Sequence, residues 1–341
     1  MRQLASIQKI KEILPIEVAD QIVLAKILDW QCVVKKDEFN VDDLCLFFEI
    51  DSLLPDEPRY EFLKKSCWRD GINKYRLKSI KLKKVLSQGV AMPIDKFPEI
   101  GLAVEGADVT EFLGIEKYEP PVPTAIQGDV KGGFSWPISK TDEERVQNND
   151  KYRFIEALWG RPYYISLKLD GTSSTFLIDA AGDYHVCGRN YSYKEKPDHM
   201  FWKLSEKYDI ENKLRKLHQD GFKVAIQGEV IGNIQGNKMK VTEPDIYIFN
   251  VVDIETNKKL PIDDALDIIK RIELKFVPII EQGDNFKYTI NELFTLSDIK
   301  YKDFFPNASP QQQAEGIVVR SKDSDISFKV INNNFLLKEN E

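Results

Sequence analysis

The chain has 341 residues, 42% of them hydrophobic, and a formal net charge of −7 at pH 7. That length suits two domains with sizeable cores; no apolar run approaches membrane-spanning length, and Met1-Arg2-Gln3-Leu4-Ala5 lacks a signal-peptide core. Cys32, Cys45, Cys67 and Cys187 show no Cys-x-x-Cys spacing, and the three histidines are scattered, which argues against a disulfide frame, a zinc site or a histidine-based metal centre and points to reduced thiols in a cytoplasmic protein. Residues 1 to about 115 are β-rich. Strand-like runs at 22–27, 32–34 and 44–50 are split by turns such as 40–43, and 89–93 and 108–110 continue the pattern. Short strands at close spacing predict a small barrel. Segment 74–84 contains no acid. As a single strand it lines Lys74, Arg76 and Lys78 along one face beside an aromatic ring, which suits a nucleic-acid backbone or, equally, a solvated sheet edge.

Prolines followed by Gly132-Gly133 mark a linker over 116–135. Thr141 and Glu144 then have capping-box spacing, which predicts a helix beginning at Asp142. In the next strand Ile165, Leu167 and Leu169 alternate with Ser166, Lys168 and Asp170. The apolar three can enter a core while Lys168 and Asp170 share the opposite face. Gly171 ends the strand where bulk would obstruct a ligand. An amine and a carboxylate held this way suit a lysine nucleophile that attacks a phosphate; a surface strand with two solvated charges has the same pattern. Further short strands follow, each with one distinctive side chain amid apolar neighbours: Arg189, Glu229, Phe249, Glu315 and Lys329. Helices are predicted over 263–274 and 289–296, the second with capping-box spacing between Thr289 and Glu292. Segment 232–238 brings glycines near a lysine without P-loop spacing.

Taken in order, these segments resemble motifs I, Ia, III, IIIa, IV and V of the covalent nucleotidyltransferases, the superfamily of ATP-dependent ligases and mRNA capping enzymes. The resemblance covers residues 136–341 and is closest to RNA ligases. The pieces "DLCLFFEIDSLLPD" and "LSQGVAMPI" are similar to the N-terminal OB-fold of one RNA ligase family. An α+β protein is implied, with an OB-fold RNA-binding domain at 1–115, a linker at 116–135 and a nucleotidyltransferase (adenylylation, ATP-grasp-like) domain on antiparallel sheets at 136–341.

By that resemblance Lys168 attacks the α-phosphorus of ATP to give lysyl-AMP. Lys329 neutralises α-phosphate charge and, as a nearby cation, lowers the pKa of Lys168. Arg189 binds phosphate or ribose, Phe249 stacks on adenine, and Glu229 and Glu315 complete the nucleotide site. Asp170, Glu229 and Glu315 would hold a hydrated Mg²⁺ or Mn²⁺, since hard cations prefer oxygen. The segment "KTDEERVQN" is similar to one upstream of the nucleophile in RNA ligases, which makes Arg145 and Asn148 contacts to the RNA end; an ordinary charged helix is the plain alternative. Lys74, Arg76 and Lys78 would bind RNA. One departure stands out: many RNA ligases carry Lys-x-Lys in motif V, whereas Ile331 stands where a second lysine would fall, and Lys338 lies too far along. The chain also ends soon after Lys329, without room for motif VI. The expected activity is an ATP-dependent RNA ligase that seals 3′-OH and 5′-phosphate ends in nicked duplexes through lysyl-AMP and RNA-adenylate, with no obligate protein partner. A capping-type guanylyltransferase or a DNA ligase would use the same lysine, and a catalytically degenerate RNA-binding protein is the non-enzymatic alternative.

Overall fold

Alternating apolar residues make strands buried on one face, and an uninterrupted apolar run makes a strand buried on both. Leu44–Phe48 is such a run. Leu46 and Phe48 enter one core with Ile7, Tyr60 and Tyr75, while Cys45 and Phe47 enter another with Ala25, Trp30 and Cys32. The structure, a computed structural model, describes residues 3–17, 19–118, 128–134, 138–232, 239 and 241–338. The prolines at 120–123 and the segment 233–238 lie outside the described residues. The chain divides into two compact units: Met1–Pro121 with Glu144–Phe154 and Leu336–Glu341, and Val122–Glu143 with Ile155–Phe335.

The first unit holds β1 (Ala5–Ile16), β2 (Ala19–Ile27), β3 (Trp30–Lys35), β4 (Leu44–Phe48), β5 (Ser52–Leu54), β6 (Trp68–Arg69), β7 (Lys74–Arg76), β8 (Ile80–Leu82), β9 (Val85–Ser87), β10 (Val90–Pro93) and β11 (Glu116–Lys117). Strand β1 is shared. It pairs with β4 from Ala5 to Lys9 and with β2 from Ile10 onward, and a register shift between Ile10 and Glu12 bends it between the two partners. The sheet order is β10-β4-β1-β2-β3, a half-barrel of OB-fold type, beside a smaller sheet β11-β5-β7-β6 and the hairpin β8-β9. Two expectations are corrected. Residues 108–110 form only an isolated bridge from Asp108 to Ser6, because the Thr110 hydroxyl is taken up by the amides of Leu4 and Ala5 at 2.9 and 3.0 Å. Segment 74–84 is not one strand but β7 and then a hairpin whose tip is Lys83-Lys84.

In chain order come β12 (Val130–Gly133) of the second unit and β13 (Glu144–Arg145) of the first. The second unit continues with β14 (Tyr163–Lys168), β15 (Thr172–Ile178), β16 (Tyr184–Gly188), β17 (Tyr191–Tyr193), β18 (Val224–Ile231), β19 (Asp245–Asp253), β20 (Lys258–Lys259), β21 (Lys275–Phe276), β22 (Ile279–Gly283), β23 (Gly316–Ser321) and β24 (Ser327–Ile331). Its large sheet runs β12-β17-β16-β15-β18-β19-β20, and β24-β23-β14-β22 are antiparallel neighbours in a second sheet. Helices Met200–Lys207, Ile210–Gln219 and Ile262–Arg271 bury Leu204, Leu214 and Ile268 against Phe176, Ile226 and Ile248 on one face of the large sheet. The helix Ile290–Ser297 begins at the capping box its sequence predicts, with the Thr289 amide donating to Glu292 at 2.8 Å. The other face of the large sheet and the sheet of β14 and β23 wall a cavity of about 410 Å³. Among the described residues no helix is long and apolar enough to cross a membrane.

Candidate active site

The alternation in β14 works as its sequence predicts: Ile165, Leu167 and Leu169 are buried in core, and Lys168 and Asp170 line the cavity. Arg189, Glu229, Phe249, Glu315 and Lys329 line the same cavity, so seven side chains from separate strands and strand ends converge. Lys168 lies opposite Gly316 in the β14–β23 ladder, which brings its Nζ to 2.6 Å from Glu315 Oε2. Two glycines permit this closeness. A Cβ on Gly316, whose φ is +148°, would run into the Val330 carbonyl, and one on Gly171 would run into the Val230 carbonyl and the Glu229 side chain. Gly171 therefore admits the neighbouring strand, and it also lines the cavity.

Burial opposes the charge on Lys168, but Glu315, Glu229 and Asp170 outweigh it and raise the pKa above the ordinary lysine value. The expectation of a lowered pKa is thus reversed. Lys329 is opposite Val318, not Gly316, and it pairs with Asp142 at 3.4 Å. Burial pushes the Glu229 carboxyl up to about 8; Lys168 pulls it down, while Glu315 and Asp170 add to the rise. Three acids around one ammonium leave the site short of positive charge, and that deficit fits a divalent cation. Among the described residues no three His, Cys, Asp or Glu side chains converge into a ready ligand set. The fit is therefore to a hydrated ion reached largely through water.

A strap, Ser139 to Glu143, edges the cavity. The helix predicted from Asp142 does not form, because the strap's polar groups are bound elsewhere. Glu143 accepts from Lys259 at 2.9 Å and from buried Arg320 at 3.2 Å. Burial alone would raise the Glu143 carboxyl, but Arg320 and Lys259 hold it down at about 2. Thr141 shares a hydrogen bond with Ser173 at 2.7 Å instead of capping a helix. The Gln227 amide donates to the Ser139 carbonyl at 3.0 Å and accepts from Asn250 at 2.9 Å. Asp142, at the end of this strap, spans two cations: Arg189 and Lys329, each at 3.4 Å.

Several of these residues escaped the sequence reading. Tyr301, fully buried, donates its hydroxyl to the Lys168 carbonyl at 3.0 Å and accepts from the Glu315 amide at 3.0 Å. Burial raises its pKa well above the ordinary tyrosine value, so it stays a donor. Nothing local in its sequence marks this role. Arg320 had a signal: an arginine in the apolar run of β23 needs a buried acid, and Glu143 is that acid.

The expected RNA contacts lie in the first unit. Lys74 pairs with Glu116 at 2.7 Å, and Arg76 lies 3.8 Å from Asp51 and over the Tyr118 ring. The face they share is therefore largely neutralised. Lys78 is half-buried. Asn148 is fully buried and accepts from the Trp30 indole at 2.5 Å, which makes it a packing residue and not an exposed contact. The Arg145 guanidinium stands 5.8 Å from the Trp30 ring centre.

Comparison with known proteins agrees with this architecture. A family model described as an OB-fold domain matches residues 4–94, and one described as RNA ligase matches residues 161–331. The Naegleria gruberi RNA ligase with PPi superposes with a TM-score of 0.86 at 34% identity, covering 99% of each chain. A lysine-to-methionine mutant of that enzyme with AMP and Mn gives 0.87 at 34% identity, again over 99% of each chain. A lysine-to-alanine mutant with ATP and Mn gives 0.87 at 34% identity over 98% of each chain. No curated protein matches the chain. A likeness this close along the full length, joined to a family model that spans half the residues, leaves one conclusion: the chain belongs to the RNA ligase family.

Proposed function

We propose that this RNA ligase is ATP-dependent and seals 3′-OH and 5′-phosphate RNA ends in nicked duplexes through a lysyl-AMP and an RNA-adenylate. The observation that carries the reading is Lys168, set in the cavity with its Nζ hydrogen-bonded to Glu315. Support also comes from the AMP- and ATP-bound structures of the Naegleria enzyme. Lys168 Nζ attacks the α-phosphorus, a nitrogen–phosphorus bond forms, the bond to the β-phosphate oxygen breaks, and pyrophosphate leaves. The amine must first lose a proton, and Glu315 is its hydrogen-bond partner. A hydrated Mg²⁺ or Mn²⁺ held by Asp170, Glu229 and Glu315 supplies positive charge that favours the neutral amine and offsets charge on phosphorus. Phe249 offers its ring to the adenine; Arg189 and Lys329 face the phosphates. AMP then passes to the RNA 5′-phosphate, and the 3′-hydroxyl displaces it.

The division of labour is part of the proposal: 1–115 as the RNA-binding OB-fold, 116–135 as linker and 136–341 as the adenylylation domain, with Arg145 a contact to the RNA end. The four buried, free cysteines accord with a reducing cytoplasmic setting. The test is incubation with α-labelled ATP and a divalent metal, followed by nicked RNA and DNA duplexes. Wild type should take up one label and seal RNA, and Lys168→Ala should take up none while keeping its fold. A label that persists and maps to another lysine would remove the assignment.

A further inference from the structure

The fold leaves one strained and strongly basic feature outside the cavity. Strands β8 and β9 pair as Ile80↔Ser87, Lys81↔Leu86 and Leu82↔Val85, so the tip is the two-residue turn Lys83-Lys84. Both tip residues have positive φ, +46° and +67°. A turn of this kind favours Asn-Gly, because positive φ crowds Cβ against the backbone carbonyl; glycine has no Cβ, and asparagine offsets the strain with local hydrogen bonds. Six of the eleven described non-glycine residues with positive φ are Asp or Asn, which tolerate it; Lys83 and Lys84 are the only adjacent pair among them. Strain kept in an exposed turn calls for something the lysines supply and Asn-Gly does not.

What they supply is charge. Lys81, Lys83 and Lys84 are exposed, and none forms an ion pair with a described residue. This contrasts with Lys74 and Arg76, whose charges are met by Glu116 and Asp51. No acid occurs between Asp70 and Asp95, so the prong is locally cationic on a chain of net charge −7. Its base is fixed. Gln31 donates to the Leu86 carbonyl at 2.8 Å, the Val33 amide donates to Ser87 Oγ at 3.0 Å, and the Gln88 amide donates to the Gln31 carbonyl at 2.8 Å. A rigid base holds the three amines where a flexible tail would pay more to order them.

We infer that the β8–β9 hairpin is a docking prong for the RNA phosphodiester backbone, with Lys81, Lys83 and Lys84 as its contacts. The inference rests on the RNA-sealing reading and moves its basic surface from Lys74 and Arg76 to this tip. Contacts of this type position a duplex and do not read its sequence. Lysines that merely keep a sheet edge from aggregating would have the same exposure, and the experiment separates the two.

Binding of the full-length protein to a nicked RNA duplex, without ATP, is measured across a salt series. The variant Lys83→Asn with Lys84→Gly keeps the turn and relieves its strain. Its Tm should rise by about 2–4 °C, while affinity near 0.1 M salt falls about tenfold and the log–log salt slope becomes shallower by about 1–2. Lys83→Arg with Lys84→Arg should bind as wild type does. Lys203→Gln with Lys270→Gln, a matched charge loss on exposed helix positions, should change neither affinity nor slope. Wild-type affinity and slope in the Asn-Gly variant overturn the prong, as does an equal loss in the helix variant. Absence of RNA binding by wild type would overturn the RNA-sealing reading itself.

Discussion

Replacing Tyr301 with Phe removes one oxygen atom from a fully buried position and leaves the ring and its packing in place. The hydroxyl serves two backbone groups on separate elements, the Lys168 carbonyl and the Glu315 amide, each at 3.0 Å. The amide has one proton to give and loses its acceptor, which costs about 1–3 kcal/mol in a buried site. The carbonyl keeps a second lone pair, so its loss is smaller, about 0.5–1.5 kcal/mol. Together the variant should lose about 2–4 kcal/mol of stability, read by urea unfolding. The functional effect follows from geometry. Tyr301 ties the residue that carries the nucleophile to the residue whose carboxylate holds its Nζ at 2.6 Å. A shift of order 1 Å between them should slow adenylylation about tenfold to a hundredfold at saturating ATP, with little change in the KM for ATP. A remote variant of similar cost, such as Ile268→Ala in the helical layer, should lose stability without slowing the labelling step. Tyr301→Phe labelling at the wild-type rate would refute the positioning argument, and unchanged stability would refute the hydrogen-bond argument beneath it.

Two further outcomes follow from ion pairs at the strap. Glu143 is held at about 2 against an ordinary 4.5, a depressed carboxylate, so its contribution is present above pH 4.5 and is lost as pH falls toward 2. The stability gap between wild type and Glu143→Gln, from urea unfolding at stepped pH, should shrink by about 3 kcal/mol across that window; a gap independent of pH would exclude the pairing with Arg320 and Lys259. Asp142 occupies Arg189 and Lys329 at 3.4 Å each. Two part-exposed pairs are together worth about 1 kcal/mol, so Asp142→Asn should bind pyrophosphate about fivefold tighter by calorimetry, and weaker binding would mean that Asp142 orders those cations for the phosphate instead of competing with it.

Local rules were legible in the sequence, and pairings between distant segments were not. The alternation around Lys168 and the capping box at Thr289 depend on neighbours within a few residues, and both appear as expected. The strap failed because Thr141 and Glu144 have helix-cap spacing, whereas the partners that decide the matter, Lys259 and Arg320, are far along the chain. The raised pKa of Lys168 could not be anticipated for the same reason. A register of Val318 against Lys329 and Gly316 against Lys168 moves the expected cation off the nucleophile's row. The hairpin at 80–87 was hidden because its turn lacks the glycine or asparagine that announces such turns.

That register gives the motif V departure a physical meaning. Ile331 lies opposite Gly316, and Gly316 opposite Lys168, so the missing second lysine would have stood in the nucleophile's own row. With a buried isoleucine there, Lys168 meets three carboxylates and no compensating cation in its own row. The remaining positive charge, Arg189 and Lys329, is gathered around Asp142. The cavity lining thus holds two unlike groups: three acids, Glu229, Glu315 and Asp170, and a cation pair, Arg189 and Lys329, paired with Asp142. A metal ion alone would relieve the first and a phosphate alone the second. A metal-bound nucleotide would present both charges at once: its metal would relieve the carboxylates that keep Lys168 protonated, and its phosphates would compete with Asp142 for Arg189 and Lys329.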